Sequence, residues 1–310
     1  MKSVTARRAH AKRLTLLGCL AGIGMATIAA PGVTQAGAVL DQIVADKVIR
    51  LGIRTDAPPF SVLKGDRLSG FSVDLCAMVA NTIVDTSGLE GLTGKVVQVT
   101  ASDRFEKLQS GEIDVLCGAT SATLSRREIV SFSIPTFLTG VGAAVRADAS
   151  DLLKEVLIQQ GPAAHSKAAI EAALKGMTVG VHKSTTAEDW LTSGPISTIG
   201  GMRVERVDDH GRGFDLLATG RIDAYFADHA ILNGYRHERQ LADILISQDT
   251  YTLEPLALGL PRGDEALRLV IDRALSHLYR SGKIFKVFET HFGKPKADVQ
   301  RFYGSVSLPD

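Results

Sequence analysis

Residues 117–133 read CGATSATLSRREIVSFS. An apolar strand ending at Cys117 gives way to small and hydroxyl-bearing residues. An arginine follows at the start of a helix that Thr123 can cap, and the chain then returns to an apolar strand. Such a segment captures a small carboxylate: loop hydroxyls and backbone N–H groups donate, the helix start adds a positive field, and the fork of Arg126 grips two oxygens at once. Taken alone, Arg126-Arg127-Glu128 also fits a solvated helix face, so the surrounding chain decides.

Upstream, Val48 to Ile53 reads as the first buried strand, and the turn signal Asp56-Ala57-Pro58-Pro59 follows it. Ser72 is positioned to cap a helix whose apolar face is Val73, Cys76, Ala80 and Ile83 or Val84. Val96 to Val99 is the next strand. Asp103 and Glu106 have capping-box spacing for a helix ending at Gly111, and Ile113 to Cys117 follows as a strand. Strands alternating with helices imply an α/β chain with mostly parallel sheets covered on both faces.

The second half repeats this plan. Val179 to Val181 and Val204 to Val207 read as strands, Ser184-Thr185-Thr186 opens a helix, and residues 210–213 read as a loop before a helix over 214–218. The echo is visible in letters: LQSGEID at 108–114 matches LATGRID at 217–223, each a helix end, a glycine C-cap and a strand start. Two extended apolar stretches, 134–145 and 251–260, read as strands crossing between two lobes. The expected organisation is a first lobe from residues 41–142 and 254–310, interrupted by a second lobe from 143–253. Helical spacing of Leu267, Val270, Ile271, Ala274, Leu275 and Leu278, then a last helix over 284–292, completes the first lobe.

The chain has 310 residues, 45% of them hydrophobic, with 35 basic and 34 acidic side chains. The length suits two domains with sizeable cores, and the balanced charge gives no support for nucleic-acid binding. Residues 1–36 read as an export signal: Lys2, Arg7, Arg8, Lys12 and Arg13 precede an apolar run from Leu14 to Ala30, with small residues after it. Its removal leaves 30 basic residues against 34 acidic ones and an extracytoplasmic, periplasmic product. In an oxidising compartment Cys76 and Cys117 are able to pair, although two small buried side chains are the slightly preferred reading. No cysteine or histidine spacing marks a zinc site, and no cofactor or metal is expected.

Open parallel sheets bind ligands beyond the carboxyl ends of their strands. The polar candidates all follow predicted strands: Arg54, Arg104, Ala119, Ser121 and Arg126 in the first lobe, Thr185, His210 and Asp228 in the second. A zwitterionic amino acid needs one grip for its carboxylate, supplied by Arg126 with Ser121 and Thr185. It needs another for its ammonium, supplied by Asp228 with the carbonyl of Ala119. Arg54, Arg104 and His210 are left over. In a closed, desolvated site that surplus of positive charge is costly without an anion, so a side-chain carboxylate is the expected guest. Each residue also has a plainer reading. Asp228, Thr185 and Ser121 are ordinary cap and turn residues. Arg54, Arg104 and His210 are equally at home on a surface, and Phe60 fits a core better than a lid.

These residues resemble the family 3 bacterial extracellular solute-binding proteins. Gly70-Phe71-Ser72-Val73-Asp74-Leu75 is similar to the family's signature near the first helix, with Ser72 where an acidic residue is usual. Residues 108–133 match its most characteristic block, with Ala119 and Ser125 as departures, and Lys183-Ser184-Thr185-Thr186 is similar to its second-lobe anion loop. Asp209-His210-Gly211 with Phe214, Asp103-Arg104, and Gly52-Ile53-Arg54 resemble the glutamate/aspartate-binding branch. The resemblance spans residues 41–295. It implies a type II periplasmic binding protein fold, two lobes joined by two crossover strands, clamping L-glutamate or L-aspartate. It further implies a monomer that delivers its ligand to the membrane permease subunits of an ABC importer, with no catalytic residues. The alternatives are a dehydratase-type enzyme on the same fold, which would need His210 or Asp228 as an acid or base, and a binding protein for another polar amino acid such as glutamine.

Overall fold

The computed structural model describes residues 37–87 and 90–309; the expected export signal, residues 1–36, lies outside them. The strands are β1 (Val48–Ile53), β2 (Asp56–Ala57), β3 (Ser61–Lys64), β4 (Arg67–Ser69), β5 (Thr93–Gln98), β6 (Val115–Cys117) and β7 (Ser131–Thr139), followed by β8 (Val141–Arg146), β9 (Thr178–His182), β10 (Arg203–Val207), β11 (Ala224–Asp228), β12 (Ile244–Ile246) and β13 (Glu254–Leu260). Two five-stranded sheets, one per lobe, carry the architecture in the orders β5-β1-β6-β13-β7 and β10-β9-β11-β8-β12. The short antiparallel sheet β2-β3-β4, which periodicity does not reveal, sits between β1 and the first long helix.

In each large sheet the first three strands are parallel and the remaining pairings are antiparallel. The sheets are therefore mixed rather than mostly parallel. The cause is the double crossing. β8 and β13 begin at the crossover and run away from it, opposite to the strands that end there. β7 passes into β8 through the single residue Gly140. The crossing segments bind each other: Tyr251 N donates to the Val141 carbonyl at 2.7 Å, and Val141 N to Thr252 Oγ1 at 2.9 Å.

Helices Phe71–Ser87, Glu265–Arg280 and Lys283–Phe292 bury apolar faces in the first lobe. The buried stripe of Phe71–Ser87 is Leu75, Cys76, Val79 and Ile83, with Val73 and Ala80 at its margin. That is the expected face turned by about one position. The helix begins at Phe71, so Ser72 lies in its first turn rather than at its cap. Phe60 is core, meeting Phe137 at 5.1 Å and Phe292 at 5.5 Å between ring centroids, in a cluster where edge and offset stacking adds about 0.5–1.5 kcal/mol per pair to burial. In the second lobe Trp190 stacks on Tyr251 at 5.2 Å.

The echo between lobes has a structural content that the letters only suggest. Gly111 and Gly220 take φ of 76° and 69°, the left-handed ending that favours glycine. Asp114 then accepts from Arg50 N at 2.7 Å, and Asp223 accepts from Thr178 N at 2.7 Å. In each lobe this aspartate ties a central strand to its neighbour.

Cys76 and Cys117 are bonded, with Cα atoms 6.3 Å apart, rather than being two free buried thiols. The buried face of Phe71–Ser87 lies over the end of β6 and brings the two together. The bond anchors the strand end from which residues 118–123 depart. Closing a loop of 41 residues is worth about 3–4 kcal/mol of unfolded-state entropy. Replacing both cysteines by serine should lower the melting temperature by roughly 5–10 °C, measured by calorimetry on the oxidised protein and its variant.

Candidate functional site

The six parallel strands of the two sheets end at one gap. Arg54 follows β1, Arg104 opens helix Arg104–Gln109 after β5, and Ala119 and Ser121 follow β6. Thr185 follows β9, His210 opens helix His210–Ala218 after β10, and Asp228 ends β11. Arg126 lies in the short helix Leu124–Arg127, where Thr123 Oγ1 accepts from Arg126 N at 3.2 Å. All eight sequence-derived residues line a single cavity of about 30 Å³, together with Thr186, Ala187 and Ile231.

Two local details differ from expectation. Asp103 does not cap its helix; its carboxylate accepts from Thr100 N at 2.7 Å and closes the preceding turn. His210 and Gly211 belong to the helix rather than to a loop. Asp209 provides the cap, its Oδ1 accepting from Arg212 N at 2.8 Å. The two glycines at 211 and 213 mask the helical pattern in sequence.

Arg104 and Arg54 are each 3% exposed, and His210 is 2% exposed. Arg104 donates from Nη2 to the Ser184 carbonyl at 3.0 Å, across the gap, and its guanidinium lies 4.3 Å from the Phe105 ring centroid. Its Nε and Nη1 have no hydrogen-bond partner among the described residues. Burial, then the charges of Arg126 and Arg54, push its pKa well below the usual arginine value. Arg126 donates to the Ser121 carbonyl at 3.0 Å and lies over the other reach of Phe105 at 5.5 Å. Burial lowers its pKa, while the charges of Asp189 and Glu254 oppose that.

His210 Nδ1 is 2.9 Å from the Tyr225 hydroxyl, and its Nε2 is buried without a partner among the described residues. Burial, then Arg54 and His182, hold the imidazole well below its ordinary pKa, hence neutral. With Tyr225 donating to Nδ1, Nε2 carries the proton as a donor. Asp228 Oδ1 accepts from Ala230 N, Ile231 N and Thr139 Oγ1 at 2.9–3.1 Å. Burial nevertheless pushes its carboxyl up to about 7, with the Glu254 charge adding to the rise and these hydrogen bonds opposing it.

Three important residues escape the sequence reading. Asp56 receives both fork nitrogens of Arg54, each at 2.9 Å, and His182 Nε2 at 3.2 Å. The signal available was Arg54 and Asp56 two apart on an extended segment, where side chains share a face. Glu254 is a lone acid at the head of an apolar strand. Its Oε2 accepts from Ser121 Oγ at 2.6 Å and Thr186 Oγ1 at 2.7 Å, and its Oε1 from Thr252 Oγ1 at 2.7 Å. Asp56, His182 and His210 offer three ligand atoms within 4.8 Å of one another, a spacing that suits a metal. Arg54 already neutralises their one carboxylate, and Arg104 is close enough to feel both Arg54 and Arg126. A dication would add two charges to a cluster already rich in positive charge, so the electrostatics favour an anion.

Two lobes with a polar, cationic gap at the strand ends define a binding protein of the type II periplasmic fold. The chain belongs to the bacterial extracellular solute-binding proteins, family 3, whose model matches residues 49–294. It is 27% identical over 284 residues to a glutamate/aspartate import solute-binding protein of Salmonella typhimurium, covering 91% of this chain and 87% of that one. It is 24% identical to the L-cystine-binding protein TcyJ of Escherichia coli, covering 94% and 99%. A crystal structure of the P235GK mutant of ArgBP from T. maritima superposes with a TM-score of 0.68 at 27% identity, covering 83% of this chain and all of that one. The chain is a solute-binding protein of amino-acid transport.

Glu254 bridges a loop of the first lobe, a helix of the second and the crossing segment. Glu254→Ala removes the acceptor of three hydroxyls, at about 1 kcal/mol for each bond lost. Small-angle scattering of the ligand-free variant should show a larger radius of gyration than the wild type; an unchanged radius would mean that Glu254 does not hold the lobes together.

Proposed function

We propose that this chain is the exported substrate-binding component of an ABC importer for acidic amino acids, closing its lobes on the ligand and presenting it to membrane permease subunits. The observation that carries the reading is Arg104: a guanidinium almost wholly removed from water, with two of its nitrogens, Nε and Nη1, unmet among the described residues. A buried cation of that kind calls for an anion. Arg126 and the backbone N–H groups at the helix start of Thr186 suit an α-carboxylate, whereas the hydroxyl protons of Ser121 and Thr185 are already given to Glu254 and to the His182 carbonyl. Asp228 suits the ammonium with the Ala119 carbonyl, and Arg104 with His210 Nε2 suits a side-chain carboxylate. Relatives named for glutamate and aspartate support the acidic choice, and the residues 1–36 support export. His210 and Asp228 are fixed by Tyr225 and by a helix cap, which suits recognition rather than proton transfer.

Arg126→Ala should abolish amino-acid binding, measured by calorimetry. Arg104→Gln should weaken L-glutamate by roughly 100-fold, since a desolvated charge-assisted contact is worth about 2–3 kcal/mol. It should weaken L-glutamine much less; equal losses would remove Arg104 from side-chain recognition.

Asp228 must be ionised to hold an ammonium. With its carboxyl pushed up to about 7, a proton has to leave on binding below that pH, so affinity should rise as pH increases toward 7 and then level. Titrations at pH 5.5, 6.5 and 7.5 should show up to about a tenfold loss per unit on the acid side, and Asp228→Asn should flatten the profile.

A further inference from the structure

Sequence alone assigns Arg54 to a ligand carboxylate, but the fold gives Arg54 a partner within the protein. Its Nε and Nη2 both donate to Asp56, and the fork edge is filled by that carboxylate. His182 Nε2 makes a further contact to Asp56 Oδ2 from across the gap, and Tyr235 Oη donates to the Asp56 carbonyl at 3.1 Å. Arg54 lines the cavity, whereas neither Asp56 nor His182 does. Burial pushes the Asp56 carboxyl up, but the Arg54 charge and the His182 contact hold it well below the usual carboxylate range.

We propose that Asp56 is a specificity-determining residue, an internal carboxylate that neutralises Arg54 so that the cavity offers its guest's side chain one unpaired guanidinium, that of Arg104. The proposal rests on the amino-acid reading above and adds which cation reads the side chain. The charges then match one by one. Arg126 faces the α-carboxylate, Asp228 the ammonium, and Arg54 is answered by Asp56. Arg104 is left for a single side-chain carboxylate. Without Asp56 the cleft would present two side-chain cations and would favour a more highly charged guest.

A double-mutant cycle separates the two roles open to Arg54. L-Glutamate is titrated calorimetrically into the wild type, Arg54→Met, Asp56→Asn and the double variant, with melting temperatures recorded for each. Arg54→Met leaves Asp56, a half-buried carboxylate, with His182 as its remaining side-chain partner, an excess of negative charge beside the cleft that should repel the acidic guest and weaken it about tenfold or more. If Arg54 serves Asp56, the double variant recovers to within about threefold of the wild type. If Arg54 instead grips the ligand, the double variant binds as poorly as Arg54→Met, and the proposal is overturned. Asp56→Asn alone frees Arg54 and should raise the glutamate-to-glutamine affinity ratio by about tenfold; an unchanged ratio also overturns it. Arg54→Gln and Asp56→Ser carry the same expectations where a first variant fails to fold. A wild type that binds no amino acid at all ends the underlying functional reading and this one with it, an outcome distinct from wild-type binding with an uncorrected double variant.

Discussion

Three guanidinium groups meet in one gap, those of Arg54 and Arg104 buried and that of Arg126 partly so, and the rest of the cleft answers that cost. Burying a charge is expensive unless it is paired and hydrogen-bonded. The three are treated differently. Arg54 is met by a carboxylate of its own lobe, at two points. Arg126 rests on the Ser121 carbonyl and feels Asp189 and Glu254. Arg104 has one carbonyl and the face of Phe105. Unmet polar capacity therefore concentrates on one side chain and on the neighbouring His210 Nε2. Graded satisfaction of this kind lets a cleft be selective while staying folded without its guest.

The fold makes such a concentration possible because both sheets aim their strand ends at the same place. Loops at those ends are free to carry polar groups, while the central strands are packed into the cores: β6 is buried along its whole length, and β11 up to Asp228. The paired aspartates Asp114 and Asp223 belong to this logic. Each satisfies a backbone N–H at the start of a central strand, so the sheet is pinned at the end remote from the gap and its other end is left for function.

Much of this was legible in residues alone, and the reason is geometric. Arg54, Ser121, Thr185 and Asp228 were found because each comes just after a buried strand in an alternating α/β pattern, a local signal with a long-range consequence. The partners that modulate them are not local. His182 reaches Asp56 across 126 positions, and Ser121 reaches Glu254 across 133; no periodicity encodes those contacts. The sheet β2-β3-β4 was missed because its strands span two to four residues, too short for an alternation to register. The antiparallel edges were missed because strand direction follows from where the chain re-enters a lobe, which the apolar run 254–260 does not express. The Cys76–Cys117 bond depends on how the helix Phe71–Ser87 is set over β6, a contact between residues 41 positions apart that no local pattern expresses.

The contacts that join the lobes are of two kinds. One buried apolar cluster runs from Ala57 and Phe60 in the first lobe to Phe214 and Tyr235 in the second. Across the gap the bonds described above are polar: Arg104 to the Ser184 carbonyl, His182 to Asp56, Tyr235 to the Asp56 carbonyl and Thr186 to Glu254. Gly234 adds a close approach, since a Cβ there would lie 2.4 Å from the Pro58 carbonyl oxygen. Water replaces polar contacts readily, so each contributes only about 0.5–1.5 kcal/mol net. Parting the lobes exposes Arg54, Arg104 and Arg126 to solvent, which recovers part of their desolvation cost and offsets the lost bonds. On the proposed reading, a guest that meets Arg104 and Arg126 only when both lobes surround it would supply the differential affinity that favours a closed form. The cost of holding bare cations in the cleft would then also be what makes closure depend on the ligand.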